Sequence, residues 1–165
     1  MPAVLAASFN ILGEPFFLSQ VEGRAPLQNN QTQVLHRDAD TPAADYVVVF
    51  VYLDHFGPGN GATQIVPGSH EGTAIDGSAS PIVTTGHAGD ILVMDARLLH
   101  GATTNSTGES RRSLLLTYAA MRLYSELEST ALLRGVHMTT DEVFSGLTVT
   151  VMPNSIDTTL VLRKT

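Results

Sequence analysis

Sixteen Asp and Glu against nine Lys and Arg over 165 residues give a formal charge of −7 with no basic run, which argues against nucleic acid or an anionic membrane as a partner. No cysteine is present, so disulfides and thiolate metal sites are excluded, and no apolar run approaches the roughly 20 residues of a membrane span. Charged residues are only 15%, against about 25% in an ordinary soluble domain, and Thr, Ser, Gly and aliphatics replace them, as suits one β-rich domain.

Residues 1–13 are apolar at 3–7 but lack a basic start and lead into Glu14, so they do not read as a signal peptide and the chain reads as cytoplasmic. Strands are expected at 16–21 and 31–37. Residues 46–53 (YVVVFVYL) are β-branched and aromatic throughout, and their continuous apolarity implies a strand covered on both faces. A glycine-rich loop at 57–61 precedes a short strand at 62–66. Pro67-Gly68-Ser69 turns the chain again, and 71–80 reads as an irregular excursion. Further short strands fall at 82–85, 91–94 and 98–100, with Gly89-Asp90 as a turn, and 112–121 is the last long strand. Helices are expected only afterwards, at 126–133 and 139–144, the second with a capping box from Thr139 to Glu142. Seven or eight short strands separated by turns predict a sandwich, a jelly roll or a small barrel.

The first chemical signal is His36-Arg37-Asp38. On a strand, alternate side chains share a face, so His36 and Asp38 project together, roughly 7 Å apart along the chain. An imidazole and a carboxylate so placed can take neighbouring positions on one metal ion, or form a plain ion pair. Candidates for a third ligand are His55, His70, His87, His100 and His137. His100 is best placed, because it closes the apolar stretch 91–99 and is followed by Gly101, which permits close backbone approach. Two histidines and one carboxylate form the facial triad that leaves positions open for oxygen chemistry on Fe(II). The second signal is Arg111-Arg112, at the mouth of the last strand. An arginine there is costly unless it meets an anion, and its planar fork fits a carboxylate. A dicarboxylate held by the metal at one end and by Arg111 at the other accounts for both signals; a surface arginine pair capping a hairpin is the plainer alternative, with Arg112 facing away. His55 and His87 read as loop residues, His70 as a turn support and His137 as a surface helix residue. Tyr46, Tyr52 and Tyr118 read as core, and Asp90 and Asn105 as turn-fixing groups.

In order, Gln33-Val34-Leu35-His36-Arg37-Asp38, Asn60-Gly61-Ala62-Thr63, Pro67-Gly68-Ser69-His70, Gly89-Asp90 and His100-Gly101 with Asn105 and Arg111-Arg112 resemble the phytanoyl-CoA dioxygenase family, particularly its fungal alkaloid and meroterpenoid dioxygenases. The tail, Pro153-Asn154-Ser155-Ile156, is similar too, and the likeness runs from about residue 11 to the end. The resemblance implies an all-β fold with peripheral helices, a double-stranded β-helix (jelly roll, cupin-like) occupying residues 1–165 as one domain. It implies Fe(II) on His36, Asp38 and His100, with 2-oxoglutarate as co-substrate beside O2, its distal carboxylate on Arg111 and further contacts from Thr63 and Gln33. The implied reaction is oxidation, chiefly hydroxylation, of an unactivated C–H bond in a small hydrophobic metabolite, releasing succinate and CO2. Asp38 argues against halogenation, because halogenating relatives lack that carboxylate. Such proteins usually carry a hundred or so residues before the HxD strand, including helices that brace the sheet, whereas 35 precede it here. This departure keeps two rivals in view: an assisting subunit that pairs, as a homodimer or heterodimer, with a longer relative, and a cupin-like metal isomerase or binding module. The loops expected to shape the substrate pocket are 40–45, 71–80 and 123–144.

Overall fold

A computed structural model describes residues 2–71 and 80–130 and the backbone of a strand at 160–162. The architecture grows from β2 (Tyr46–Tyr52), buried along almost its whole length. It pairs antiparallel with β5 (Ile91–Asp95) on one side and β7 (Ser113–Ala120) on the other. With β1 (Phe16–Arg24) beyond β7 and β8 (Leu160–Leu162) beyond β5, the order is β1-β7-β2-β5-β8. A smaller antiparallel sheet is ordered β4-β3-β6, from Ile82–Val83, Thr63–Ile65 and His100–Ala102.

Period-2 alternation on β2 divides the core in two. Val48, Phe50 and Tyr52 point between the sheets, onto Leu92, Met94 and Ile65. Val47 and Val49 point the other way, onto Val93, Tyr118 and Phe16. Each fully buried aliphatic or aromatic side chain contributes about 1.5–3 kcal/mol. Two antiparallel sheets enclosing one apolar interior make this an all-β jelly roll, a double-stranded β-helix with peripheral helices, as expected.

The outer face of the large sheet is covered by α1 (Pro2–Leu12), which buries Val4 and Leu12 against β2 and β5. This corrects two expectations. No helix was expected before residue 120, because PAVLAASFNIL is apolar nearly all round and shows no clean 3.6-residue stripe. Its end signals are nevertheless present: proline opens the first turn, and Gly13 closes the helix at φ 70°, its N–H donating to Phe9 O. Nor does the large sheet lack bracing, since α1 supplies it.

Three other boundaries move. No strand forms at 31–37; His36 makes a single antiparallel bridge to His100. Gln33 N–H donates to Ala102 O, His36 N–H to His100 O and Asp38 N–H to Ala96 O, and these three pairings do not share one register, so no ladder propagates. His100 opens β6 rather than ending a strand at 98–100, because Ala96–Leu99 turns after β5. The expected helix at 126–133 is the shorter α2 (Tyr124–Glu128), which follows a 3-10 turn at Met121–Leu123 and gives way to a turn at 129–130; 131–133 lie outside the described residues. The helix expected at 139–144, with its capping box, and residues 72–79 of the excursion lie outside the described residues. Among the described residues no helix is long and apolar enough to cross a membrane.

Candidate active site

The strongest cluster of metal-capable side chains sits where the 33–39 segment crosses β6. His36 and His100 oppose each other across their bridge, N–H to O in both directions at 2.9 and 3.0 Å, which sets the two rings side by side with centroids 4.6 Å apart. Such closeness requires a small neighbour: a Cβ on Gly101 would stand 3.0 Å from Gln33 O, so glycine alone lets the backbones meet. Asp38 closes the group, its Oδ1 3.6 Å from His36 Nε2 and its Oδ2 3.5 Å from His100 Nε2.

The second ring nitrogens settle the tautomers. His36 Nδ1 is 2.9 Å from Val34 O and His100 Nδ1 is 2.9 Å from Leu98 O. A carbonyl only accepts, so both Nδ1 atoms carry the proton and both Nε2 lone pairs face Asp38. One donor atom from each of His36, Asp38 and His100 lies within 4.8 Å of the others. Two donors on one ion at right angles stand about 3 Å apart, so a small closure of these side chains suffices. Neutral imidazoles and a carboxylate are the donor set that fits an iron(II) ion, and among the described residues this is the only such cluster.

The cluster opens into a cavity of about 350 Å³, and all six residues singled out from the sequence line it: Gln33, His36, Asp38, Thr63, His100 and Arg111. Arg111 is 4% exposed, and its guanidinium stacks 4.8 Å above the Phe56 ring. Burial pulls its pKa down to about 10, which leaves it charged at neutral pH, and among the described residues its Nε has no hydrogen-bond partner. A buried cation with an unsatisfied donor is costly, and a carboxylate in the cavity satisfies it. Arg112 points outward, as alternation requires, and grips Asp54 through two side-chain bonds of 2.8 and 2.9 Å.

Gln33 is half committed: its Oε1 accepts from Ala102 N–H at 2.8 Å, so the amide nitrogen is what remains to donate. Thr63 is buried on β3 opposite Ala102. Asn105 and Asp90 fix turns as expected, Asn105 Oδ1 taking Gly108 N–H and Asp90 Oδ2 taking His87 N–H. His70 is buried in the turn at Ser69–Glu71, while His55 and His87 are exposed loop residues; His137 lies outside the described residues.

One polar group two residues past Arg111 escaped the sequence reading. Ser113 opens β7 and opposes Tyr52 across the sheet, and among the described residues its buried Oγ has no hydrogen-bond partner. Tyr52 stacks on Phe56 with centroids 3.6 Å apart, and burial pushes its phenol pKa up. The spacing Arg111-x-Ser113 was the available signal, since alternate strand residues share a face.

Residues 13–113 match the family described as Phytanoyl-CoA dioxygenase (PhyH). The chain belongs to the phytanoyl-CoA dioxygenase family. Among curated relatives, it is 28% identical over 141 residues to Dioxygenase ALT11 of Alternaria alternata, covering 75% of this chain and 46% of that protein. It is 35% identical over 101 residues to Dioxygenase olcK of Penicillium canescens, covering 53% of this chain and 33% of that one. The chain therefore spans less than half the length of these family members. Among solved structures it is similar to the non-heme alpha ketoglutarate dependent epimerase SnoN from nogalamycin biosynthesis, with TM-score 0.64, 25% identity, and coverage of 72% of this chain and 53% of that one. An α-ketoglutarate-dependent carbocyclase, SnoK, shares the fold at TM-score 0.60 and 16% identity.

Proposed function

We propose that residues 1–165 form one catalytic double-stranded β-helix domain of an Fe(II)- and 2-oxoglutarate-dependent oxygenase acting on a small organic molecule. The observation that carries this reading is the convergence of two histidine ring nitrogens and the Asp38 carboxylate within 4.8 Å, in a cavity lined by the buried Arg111, whose Nε has no hydrogen-bond partner among the described residues. His36, Asp38 and His100 would hold the iron. Arg111 would take the distal carboxylate of 2-oxoglutarate through its planar fork, with donors from Thr63 and from the free nitrogen of Gln33. Iron bound there with 2-oxoglutarate supplies O2 activation coupled to decarboxylation to succinate and CO2, and oxidation of a C–H bond of the substrate.

The chain's own residues orient and shield. The carbonyls of Val34 and Leu98 hold both imidazoles in the tautomer that keeps Nε2 unprotonated. Phe50 and Leu115 line the same cavity and keep part of it dry, which strengthens the Arg111–carboxylate attraction.

The test is anaerobic thermal stability of the purified protein with Fe(II), with and without 2-oxoglutarate. At about a hundred times its dissociation constant, a ligand that binds only the folded state stabilises by roughly 2.7 kcal/mol. The expected result is a rise with both together, lost in Arg111→Ala while the response to metal persists. A response to metal alone would favour a cupin-like binding module. No response to either would favour an assisting subunit.

A further inference from the structure

The three triad residues occupy one end of a longer space. A second chamber, of about 330 Å³, shares Arg24, Asp38 and Leu115 with the first, so a molecule held there lies against the metal-binding carboxylate. One wall is β1, and a backbone irregularity decides what that wall presents. From Phe16↔Ala120 to Leu18↔Tyr118 the β1–β7 register is constant, and at Gln20↔Thr117 it has slipped by one residue. Ser19 is the extra residue of this bulge, its hydroxyl donating to Thr117 O at 3.0 Å. Before the bulge the even-numbered residues Phe16 and Leu18 belong to the outer core beneath α1. After it, Gln20, Glu22 and Arg24 line the chamber. If the same sequence ran on in the first register with no bulge, Val21 and Gly23 would turn inward instead, because a one-residue slip exchanges the two faces.

These three side chains form a connected polar row. Gln20 Nε2 donates to Glu22 Oε1, and Glu22 Oε2 pairs with Arg24. The other walls are Tyr46 and Val48 of β2, Leu115 and Thr117 of β7 and Leu127 of α2, so Val48, Leu115 and Leu127 offer an apolar surface facing the row. One carboxylate and one guanidinium leave the row without net charge. A charged guest would have to break the Glu22–Arg24 pair, and an anion would also face Asp38. A hydroxyl or ketone needs neither: it donates to Glu22, or accepts from Gln20 and Arg24, while its carbon skeleton lies on Val48, Leu115 and Leu127. The volume equals about eleven waters at roughly 30 Å³ each, enough for a bicyclic skeleton.

We propose that this chamber is the substrate site and that Gln20, Glu22 and Arg24 make it select an uncharged molecule with an apolar body and one oxygenated edge. The inference rests on the oxygenase reading for its chemistry, but the chamber and its wall stand without it. It also narrows the small hydrophobic metabolite expected from the sequence.

The experiment uses four probes of one skeleton: decalin, 2-decalol, 2-decalone and decalin-2-carboxylate. Their binding is measured by thermal stability, without metal and with Fe(II) plus 2-oxoglutarate under anaerobic conditions. The alcohol and the ketone are expected to bind about three- to tenfold tighter than the hydrocarbon, the worth of roughly one net hydrogen bond. The preference should shrink to within about twofold in Glu22→Leu, and by a smaller factor in Gln20→Leu. The response to Fe(II) plus 2-oxoglutarate, persisting in Glu22→Leu, reports that the variant folds. Decalin binding as tightly as decalol, no binding by any probe, preference for the carboxylate, or a preference unchanged in Glu22→Leu would each overturn the proposal. An alcohol preference in a protein indifferent to Fe(II) and 2-oxoglutarate would uphold the chamber and overturn only the oxygenase reading.

Discussion

In the five-stranded sheet, β7 lies between β1 and β2 in long ladders, from Phe16↔Ala120 to Arg24↔Ser113 on one side and from Tyr46↔Ala119 to Tyr52↔Ser113 on the other. The segment that carries His36 and Asp38 has no ladder; it touches β6 at one bridge and through hydrogen bonds that skip register. The contrast separates two tasks. A ladder buries side chains at a fixed period of two and so builds a core. A metal site needs three donors aimed at one point, which a flat alternation does not provide, so the chain leaves the ladder where the site is made. The bulge at Ser19 is the same device on a smaller scale, one irregularity in a long strand that re-aims three side chains.

If this division is right, damage to the two regions separates cleanly. Phe16 is buried under α1 with its ring edge-on to Tyr118, and Phe16→Ala should cost about 3–5 kcal/mol in urea unfolding while leaving metal affinity of the folded fraction unchanged. Asp38→Ala should do the reverse. Its carboxylate side chain is 43% exposed, so stability without metal should change by less than about 0.5 kcal/mol. Metal affinity, read by titration calorimetry, should fall at least about a hundredfold, because loss of a supporting contact alone can cost that much. Substantial unfolding in Asp38→Ala would break the division.

Two smaller effects sharpen it. Ser113 belongs to the ladder by register, and among the described residues its buried hydroxyl has no hydrogen-bond partner. Ser113→Ala should weaken 2-oxoglutarate about three- to tenfold, one hydrogen bond's worth, with metal affinity unchanged. An unaltered 2-oxoglutarate affinity would return Ser113 to the ladder alone. Arg112, outside the cavity, should affect stability and its pH dependence and leave ligand binding unchanged. Its hydrogen bonds hold Asp54 at a pKa of about 2 against an ordinary 3.8. A carboxylate depressed in the folded state adds stability above its unfolded pKa, and that contribution is lost as pH falls through the folded value. Arg112→Ala should therefore lower stability at neutral pH and flatten its loss between about pH 4 and about pH 2, so that the two proteins converge in acid, as checked by unfolding at about pH 2 and about pH 7.

Much of the site was legible because its members carry their own local signals. His36 and Asp38 are two residues apart, Gly101 marks a close approach, and an arginine opening an apolar strand asks for an anion. Others carried none. Gln33 reads only as a polar residue until its Oε1 is found bonded to Ala102 N–H. Ser113 sits inside a run of aliphatics, and only its register opposite Tyr52 places it beside Arg111. The α1 helix was missed because a helix buried on one side and apolar nearly all round shows no stripe, although Pro2 and Gly13 marked both ends.

By itself the amino-acid order determined the class of fold and the kind of chemistry. The unbroken apolarity of 46–52 demands cover on both faces, and only so many short strands and turns are compatible with a β-sandwich or roll. Tertiary structure alone decided which element covers the outer face, how His36 meets a histidine 64 positions away (100 − 36), and which face of β1 looks into the chamber. The physical reason is common to all three. Local pattern records whether a side chain prefers water or a core, whereas register and the partner across a gap are set by closure of the whole sheet, and the shift in pairing at Ser19 is enough to decide which residues of a strand face the chamber.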